Sequence, residues 1–169
     1  MSAGRIAALG LGNLMRTDDA VGMLALERLR RDARLPPGIL LIEGGTLGLD
    51  LLHPLDGVTH LLALDAIEAG AKPGTLLCFE GEQLQNLPVS KSVHLLGFSD
   101  LIGAMRLTGS PPSEIVVLGV QPEASGWGTS LTASVEAALP ALIEAALAQL
   151  THWKLRIAEP EVAGSLLAP

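Results

Sequence analysis

Arg5-Ile6-Ala7-Ala8-Leu9-Gly10-Leu11-Gly12-Asn13, followed by Thr17-Asp18-Asp19-Ala20-Val21-Gly22, is the stretch that decides the fold. Its first half is a short apolar run closed by glycines, the pattern of a buried strand ending in a tight turn. Its second half opens a helix. From Asp19 to Arg31, Gly22, Ala25, Leu26 and Leu29 share one face at helical spacing, while Glu27, Arg28, Arg30 and Arg31 point elsewhere. Thr17 or Asp18 is suited to cap that helix. A strand, a glycine turn and a helix in this order start a parallel α/β sheet.

The same grammar continues outward. Pro36-Pro37-Gly38 breaks the chain before a second strand, Ile39 to Ile42, which ends at Glu43-Gly44-Gly45-Thr46. A short helix is expected over Leu47 to Leu55. His60 to Leu64 is apolar on both faces, as a central strand covered on both sides should be, and it ends at Asp65. The link from Asp65 to the next apolar run, Thr75 to Phe79, is rich in Gly and Pro and too short for a parallel crossover, which takes about a dozen residues or more. That fourth strand is therefore expected to run antiparallel at an edge. Leu95 to Leu107 reads as a helix, Ile115 to Val120 as a fifth strand, and Thr132 to Leu150 as the last helix, with Val135, Ala138, Leu139, Leu142 and Ala146 inward and Pro140 as a bend or a late start. The expected fold is a three-layer α/β domain: a twisted mixed five-stranded sheet with one antiparallel edge strand and helices on both faces. Residues 1–150 make one domain, and 151–169 lose periodicity and are expected to form a disordered C-terminal tail.

Composition narrows the function. The chain has 169 residues, enough for one domain with a sizeable core. Its mean hydropathy is +0.43, yet no run of eighteen or more residues is continuously apolar, so a membrane partner is not expected. A net charge of −7 suits a nucleic-acid partner badly, because such binding needs Lys and Arg to displace counterions. The single cysteine, Cys78, is expected to pack as a small hydrophobe. The opening residues lack the pattern of a secretory signal, which leads to the expectation of a cytoplasmic protein.

Acidic residues collect where strands end: Asp18 and Asp19 after the first, Glu43 at the second, Asp65 at the third. In open α/β sheets these ends line one crevice. His94 opens the helix after the fourth strand and can return to the same rim. Asp19, Asp65 and His94 would then offer two carboxylates and one imidazole, a donor set for a borderline divalent ion such as Ni²⁺ or Zn²⁺, with positions left open. Blander readings stand beside this one. Asp18 and Asp19 can answer a helix dipole, and His94 can be a packing residue. Asp65 is harder to explain that way, since a carboxylate after a strand buried on both faces is costly unless it is paired or bound. His53, His60 and His152 have no comparable setting. Gly10-Leu11-Gly12 is not a dinucleotide fingerprint, because Met15 stands where the third glycine belongs and two aspartates occupy the helix start where a pyrophosphate would dock.

The segments Gly10 to Asn13 and Thr17 to Gly22, with Glu43-Gly44-Gly45-Thr46-Leu47-Gly48, Leu64-Asp65-Ala66-Ile67, Pro73-Gly74-Thr75, Ser92 to Gly97, Leu107-Thr108-Gly109 and Gly119-Val120-Gln121-Pro122-Glu123, resemble the [NiFe]-hydrogenase maturation endopeptidases. The likeness runs in order through residues 5 to 150. It implies a nickel-dependent, aspartyl-type endopeptidase that removes the C-terminal extension of a hydrogenase large-subunit precursor after nickel insertion. Asp19, Asp65 and His94 match the positions that bind the metal and serve catalysis. Nickel would arrive with the precursor, and Zn²⁺ or Cd²⁺ would substitute in crystals. Asp18 matches a neighbouring acidic position without a ligand role, and Glu43 stands where members often carry Asp. Two other readings remain open at this point: a peptidyl-tRNA hydrolase, whose members share the Gly-Leu-Gly-Asn turn, and a noncatalytic nickel-sensing chaperone.

Overall fold

The computed structural model describes residues 4–158. Five strands form one sheet: β1 (Ile6–Leu11), β2 (Leu40–Gly45), β3 (His60–Ala66), β4 (Leu76–Glu80) and β5 (Glu114–Val120). Their order is β2-β1-β3-β5-β4. β1 pairs in parallel with β2 and β3, β3 in parallel with β5, and β4 runs antiparallel to β5 at the edge. The mixed sheet and its antiparallel edge agree with the expectation from the short Asp65–Thr75 link.

Every residue of β1 and β3 is buried, because their side chains alternate between two cores. On one face Ile6, Ala8, Leu62 and Leu64 pack under α1 (Val21–Arg31) and α3 (Ala133–Ala158). On the other, Ala7, Leu9, Leu61 and Ala63 pack under α2 (Val93–Leu107) and the Leu51–Val58 segment. Each fully buried leucine in these layers is worth roughly 1.5–3 kcal/mol of transfer free energy. α1 lies unusually close to the sheet. A Cβ on Gly22 would stand 2.1 Å from the Leu64 carbonyl oxygen and 2.5 Å from that of Leu11, so glycine is what lets the helix start sit across β1 and β3.

Four expectations need correction. The stretch Leu47 to Leu55 forms only a 3-10 turn at Leu49–Leu51 and further turns, since Pro54 supplies no N–H for a continuing helix. Residues 151–158 are not an aperiodic tail. α3 continues to Ala158 because Ala146, Leu147, Leu150 and Trp153 extend its buried stripe, and the Trp153 indole N–H donates to Glu114 at 2.8 Å. The expected disorder of 159–169 lies outside the described residues. Cys78 is exposed, pointing away from the core on a one-faced edge strand whose Leu77 and Phe79 take the inward positions. Neither Thr17 nor Asp18 caps α1; both side chains are drawn into a distant loop. α3 is long and apolar enough by composition to cross a membrane, but here its apolar stripe covers the sheet.

Candidate functional site

The site sits at the carboxyl ends of β1, β3 and β5, where the loop after β1 meets the first turn of α2. Gly12, at φ +121°, turns that loop back on itself: a Cβ there would lie 1.9 Å from the Asp19 carbonyl oxygen. Thr17 follows at φ +39°, the one described non-glycine residue with a positive φ. A β-branched residue in that region is strained, on the order of 1–3 kcal/mol. Its hydroxyl donates to Ala124 O at 2.8 Å, and its N–H donates to Gly128 O at 3.0 Å, which hold the turn.

Beyond Thr17 the two adjacent aspartates part. Asp18 is fully buried and points into the β5–α3 loop. Its carboxylate accepts from the N–H groups of Glu123 (2.8 Å), Ala124 (2.9 Å) and Thr132 (2.7 Å) and from the Thr132 hydroxyl. Burial opposes its charge, but the N–H groups of Ala124, Thr132 and Glu123 outweigh burial and hold the carboxyl below its ordinary range. Asp18 is therefore an anchor that ties the β1 loop to the start of α3.

Asp19 turns the other way, toward α2. Its Oδ2 lies 2.8 Å from Nε2 of His94 and accepts from Asn13 N–H at 3.1 Å. Ser92 caps α2, its hydroxyl accepting from Leu95 N–H, and so fixes the turn that carries His94. The hydrogen bond to Asp19 raises the His94 pKa, burial opposes this, and the charges of Asp19 and Asp65 add to the rise while Arg16 subtracts from it.

Asp65 lies inside β3 rather than after it and is wholly buried. Oδ1 accepts from Ala66 N–H at 2.8 Å, whereas Oδ2 has no partner, and the same is true of His94 Nδ1. Burial pushes the Asp65 carboxyl up to about 7; His94 pulls it down, and the Asp19 charge raises it further. All three expected residues thus share one electrostatic neighbourhood, with Asp19 and His94 in contact.

The donor set suits a borderline divalent ion, and two of its buried atoms, Asp65 Oδ2 and His94 Nδ1, have no hydrogen-bond partner. The present spacing is that of a proton. A tetrahedral ion would hold an oxygen and a nitrogen ligand about 3.4 Å apart, wider than the Asp19–His94 contact. Among the described residues no three His, Cys, Asp or Glu side chains are disposed to enclose an ion. Seating a metal thus requires the Asp19–His94 pair to open.

Glu43 takes no part. It stands on the edge strand β2, its side chain 58% exposed, and pairs with Arg30 of α1 at 2.9 Å. A cavity of about 330 Å³ opens beside the pair and is lined by Asn13, Arg16, Asp19, Glu68, Lys91 and His94, among others. Gln121 holds the cavity residue Glu68: its carbonyl oxygen accepts from the N–H groups of Ala69 and Ala71, and its amide donates to Glu68. Sequence reasoning did not single out Arg16, Lys91 or Gln121. Their signal was position alone: Arg16 lies between Asn13 and Thr17, Lys91 precedes Ser92, and Gln121 falls within the Gly119 to Glu123 segment.

The sequence and the fold have known relatives. A family model described as hydrogenase maturation protease matches residues 23–149. The chain belongs to the hydrogenase maturation protease family. It is 36% identical over 148 residues to the Hydrogenase 2 maturation protease of Escherichia coli K12, covering 86% of this chain and 90% of that one. It is 33% identical over 163 residues to the hydrogenase expression/formation protein HupD of Rhizobium leguminosarum, covering 94% and 81%. Among solved structures, the hydrogenase maturating endopeptidase HybD from E. coli superposes with a TM-score of 0.82 at 35% identity, covering 88% of this chain and 93% of that one. The [NiFe] hydrogenase maturation protease HybD from Thermococcus kodakarensis gives 0.74 at 26%, covering 86% and 99%. The chain is an endopeptidase, and the peptidyl-tRNA hydrolase reading falls away.

Proposed function

We propose that this endopeptidase removes the C-terminal extension of a [NiFe]-hydrogenase large-subunit precursor after nickel insertion, with Asp19, Asp65 and His94 reading the nickel that the precursor carries on its own thiolates. The observation that carries the reading is the buried, half-unpartnered Asp65 beside the Asp19–His94 pair. A fold tolerates such a group at a stability cost unless something completes it. An incoming cation would do so.

The chain's residues suit hydrolysis. Once the Asp19–His94 contact opens, Asp19 still accepts from Asn13 N–H on Oδ2, and its Oδ1 would be left to take a proton from an attacking water. The water oxygen bonds to the scissile carbonyl carbon, the C–N bond breaks, and the leaving amine takes up a proton. Asp19 can hand the amine the proton it took from the water. Nickel seated among these groups orients the chain and places positive charge beside the carbonyl.

The test is to incubate the purified protein with nickel-loaded precursor and weigh the large subunit. Loss of one C-terminal peptide is expected. Unchanged mass while the precursor stays bound would replace this reading with a nickel-sensing chaperone.

A further inference from the structure

The cavity beside Asp19 and His94 carries charges that the reaction above does not use. Its acids are committed: Glu68 accepts from Gly70 N–H and from the Gln121 amide, and Asp19 accepts from Asn13 and bonds His94. Its cations form no ion pair: among the described residues neither Arg16 nor Lys91 has an acidic partner within ion-pair distance, although both line the cavity and the charge of Lys91 is felt at Glu68. Among the described residues Arg5, Arg28, Lys72, Arg106 and Lys154 likewise meet no carboxylate, so what sets Arg16 and Lys91 apart on a molecule of net charge −7 is that they share the cavity beside Asp19 and His94.

Arg16 is also held in place. Its backbone bridges to Gly128, its Nε–H donates to Ser125 O at 3.0 Å, and its guanidinium lies 5.4 Å from the centre of the exposed Trp127 ring. With Nε bound and the guanidinium lying over the ring, the terminal nitrogens remain as a fork, the geometry that matches a carboxylate. A side chain fixed before its ligand arrives loses little entropy on binding it.

We infer that Arg16 and Lys91 form a subsite that binds a carboxylate of the substrate peptide, either an acidic side chain near the scissile bond or the free C-terminus of the extension. The inference rests on the reading of this cleft as the peptide site. It makes Arg16 and Lys91 specificity residues, not groups that act on the scissile bond.

The experiment has two arms. In the first, nickel-loaded precursor is processed by the wild type, Arg16→Gln, Lys91→Gln and the double variant, with KM and kcat measured separately. The double variant should raise KM at least ~10-fold with kcat changed less than ~3-fold, the mark of an interaction made equally in ground and transition states. Changing the recognised precursor carboxylate to its amide should raise the wild-type KM by the same factor and leave the double variant unaffected. Replacement of side-chain acids one at a time, and of the C-terminal carboxylate by an amide, separates the two sources. Additive effects, or an unchanged KM, would overturn the subsite.

The second arm does not depend on cleavage. Fluorescence of Trp127, read as the difference from Trp127→Phe, is titrated with an acetylated Asp-containing peptide, its Asn twin, and an alanine peptide with free or amidated C-terminus. A carboxylate form should bind at least ~10-fold more tightly than its amide, and more weakly as salt rises. Equal binding of all forms would contradict the inference even if the precursor is cut. A clear carboxylate preference without any cutting would leave the subsite standing while the proposed function fell.

Discussion

Asp18 and Asp65 are both wholly buried aspartates at the same end of the sheet, and they could hardly be treated more differently. Asp18 is surrounded by three backbone N–H groups and a hydroxyl, and its carboxyl lies below the ordinary range. Asp65 has one N–H, one bare oxygen and a carboxyl pushed up to about 7. The first is a finished structural device. The second is left incomplete, and the incompleteness marks the site. What separates them is not burial but the supply of donors, which is why exposure alone would have misassigned their roles.

The contrast breaks most sharply in activity. Asp65→Asn and His94→Ala should each lower processing of nickel-loaded precursor by at least ~10³-fold while circular dichroism and melting show a folded protein. Loss of activity that tracks loss of folding would make Asp65 another Asp18. The mirror test is Asp18→Ala, which strands the donors of Glu123, Ala124 and Thr132; it should cost about 3–4 kcal/mol of stability and lower Tm by roughly 6–16 °C. A near-neutral melt would show that the β1 loop does not depend on this anchor.

Stability against pH sharpens the same comparison. Unfolded Asp65 titrates near 3.8 and folded Asp65 near 7, so the folded state holds the proton more tightly. That advantage is complete below the unfolded value and is lost as pH rises toward and past 7. Asp65→Asn, which has no charge to bury, should therefore stabilise the metal-free protein by roughly 2–4 kcal/mol at pH 8 and by less at pH 5. Asp18 has the opposite sign: its contribution is present above 3.8 and fades as pH falls through its lowered folded value. The smallest effect is expected at Glu43. Its exposed pair with Arg30 is worth ~0–1 kcal/mol, so Glu43→Gln should shift Tm by no more than about 4 °C and leave processing unchanged. A large loss of activity there would return Glu43 to the site.

Much of this was legible in the sequence. Strand periodicity and the short Asp65–Thr75 link placed all five strands and the antiparallel edge, and strand-end logic brought Asp19, Asp65 and His94 to one rim. What Asp18 does instead of binding a metal was not legible, because it is bound by residues more than a hundred positions away and Thr17 reaches them through a left-handed turn that sequence favours chiefly for glycine. The role of Glu43 stayed open because strand-end position does not say which face an edge residue takes. Here Arg30 on α1 claims it. The longer α3 had a readable stripe through Leu150 and Trp153, but the reason for it, the bond to Glu114, is tertiary.

The central claim is that nickel belongs to the substrate and is read by an incomplete set of ligands on the enzyme. The direct measurement incubates the enzyme with metal-free precursor, nickel-loaded precursor, and metal-free precursor with excess zinc, and follows the mass of the large subunit. Cutting confined to the nickel-loaded precursor is the expected result; rapid cutting of the metal-free precursor, with or without zinc, would contradict it.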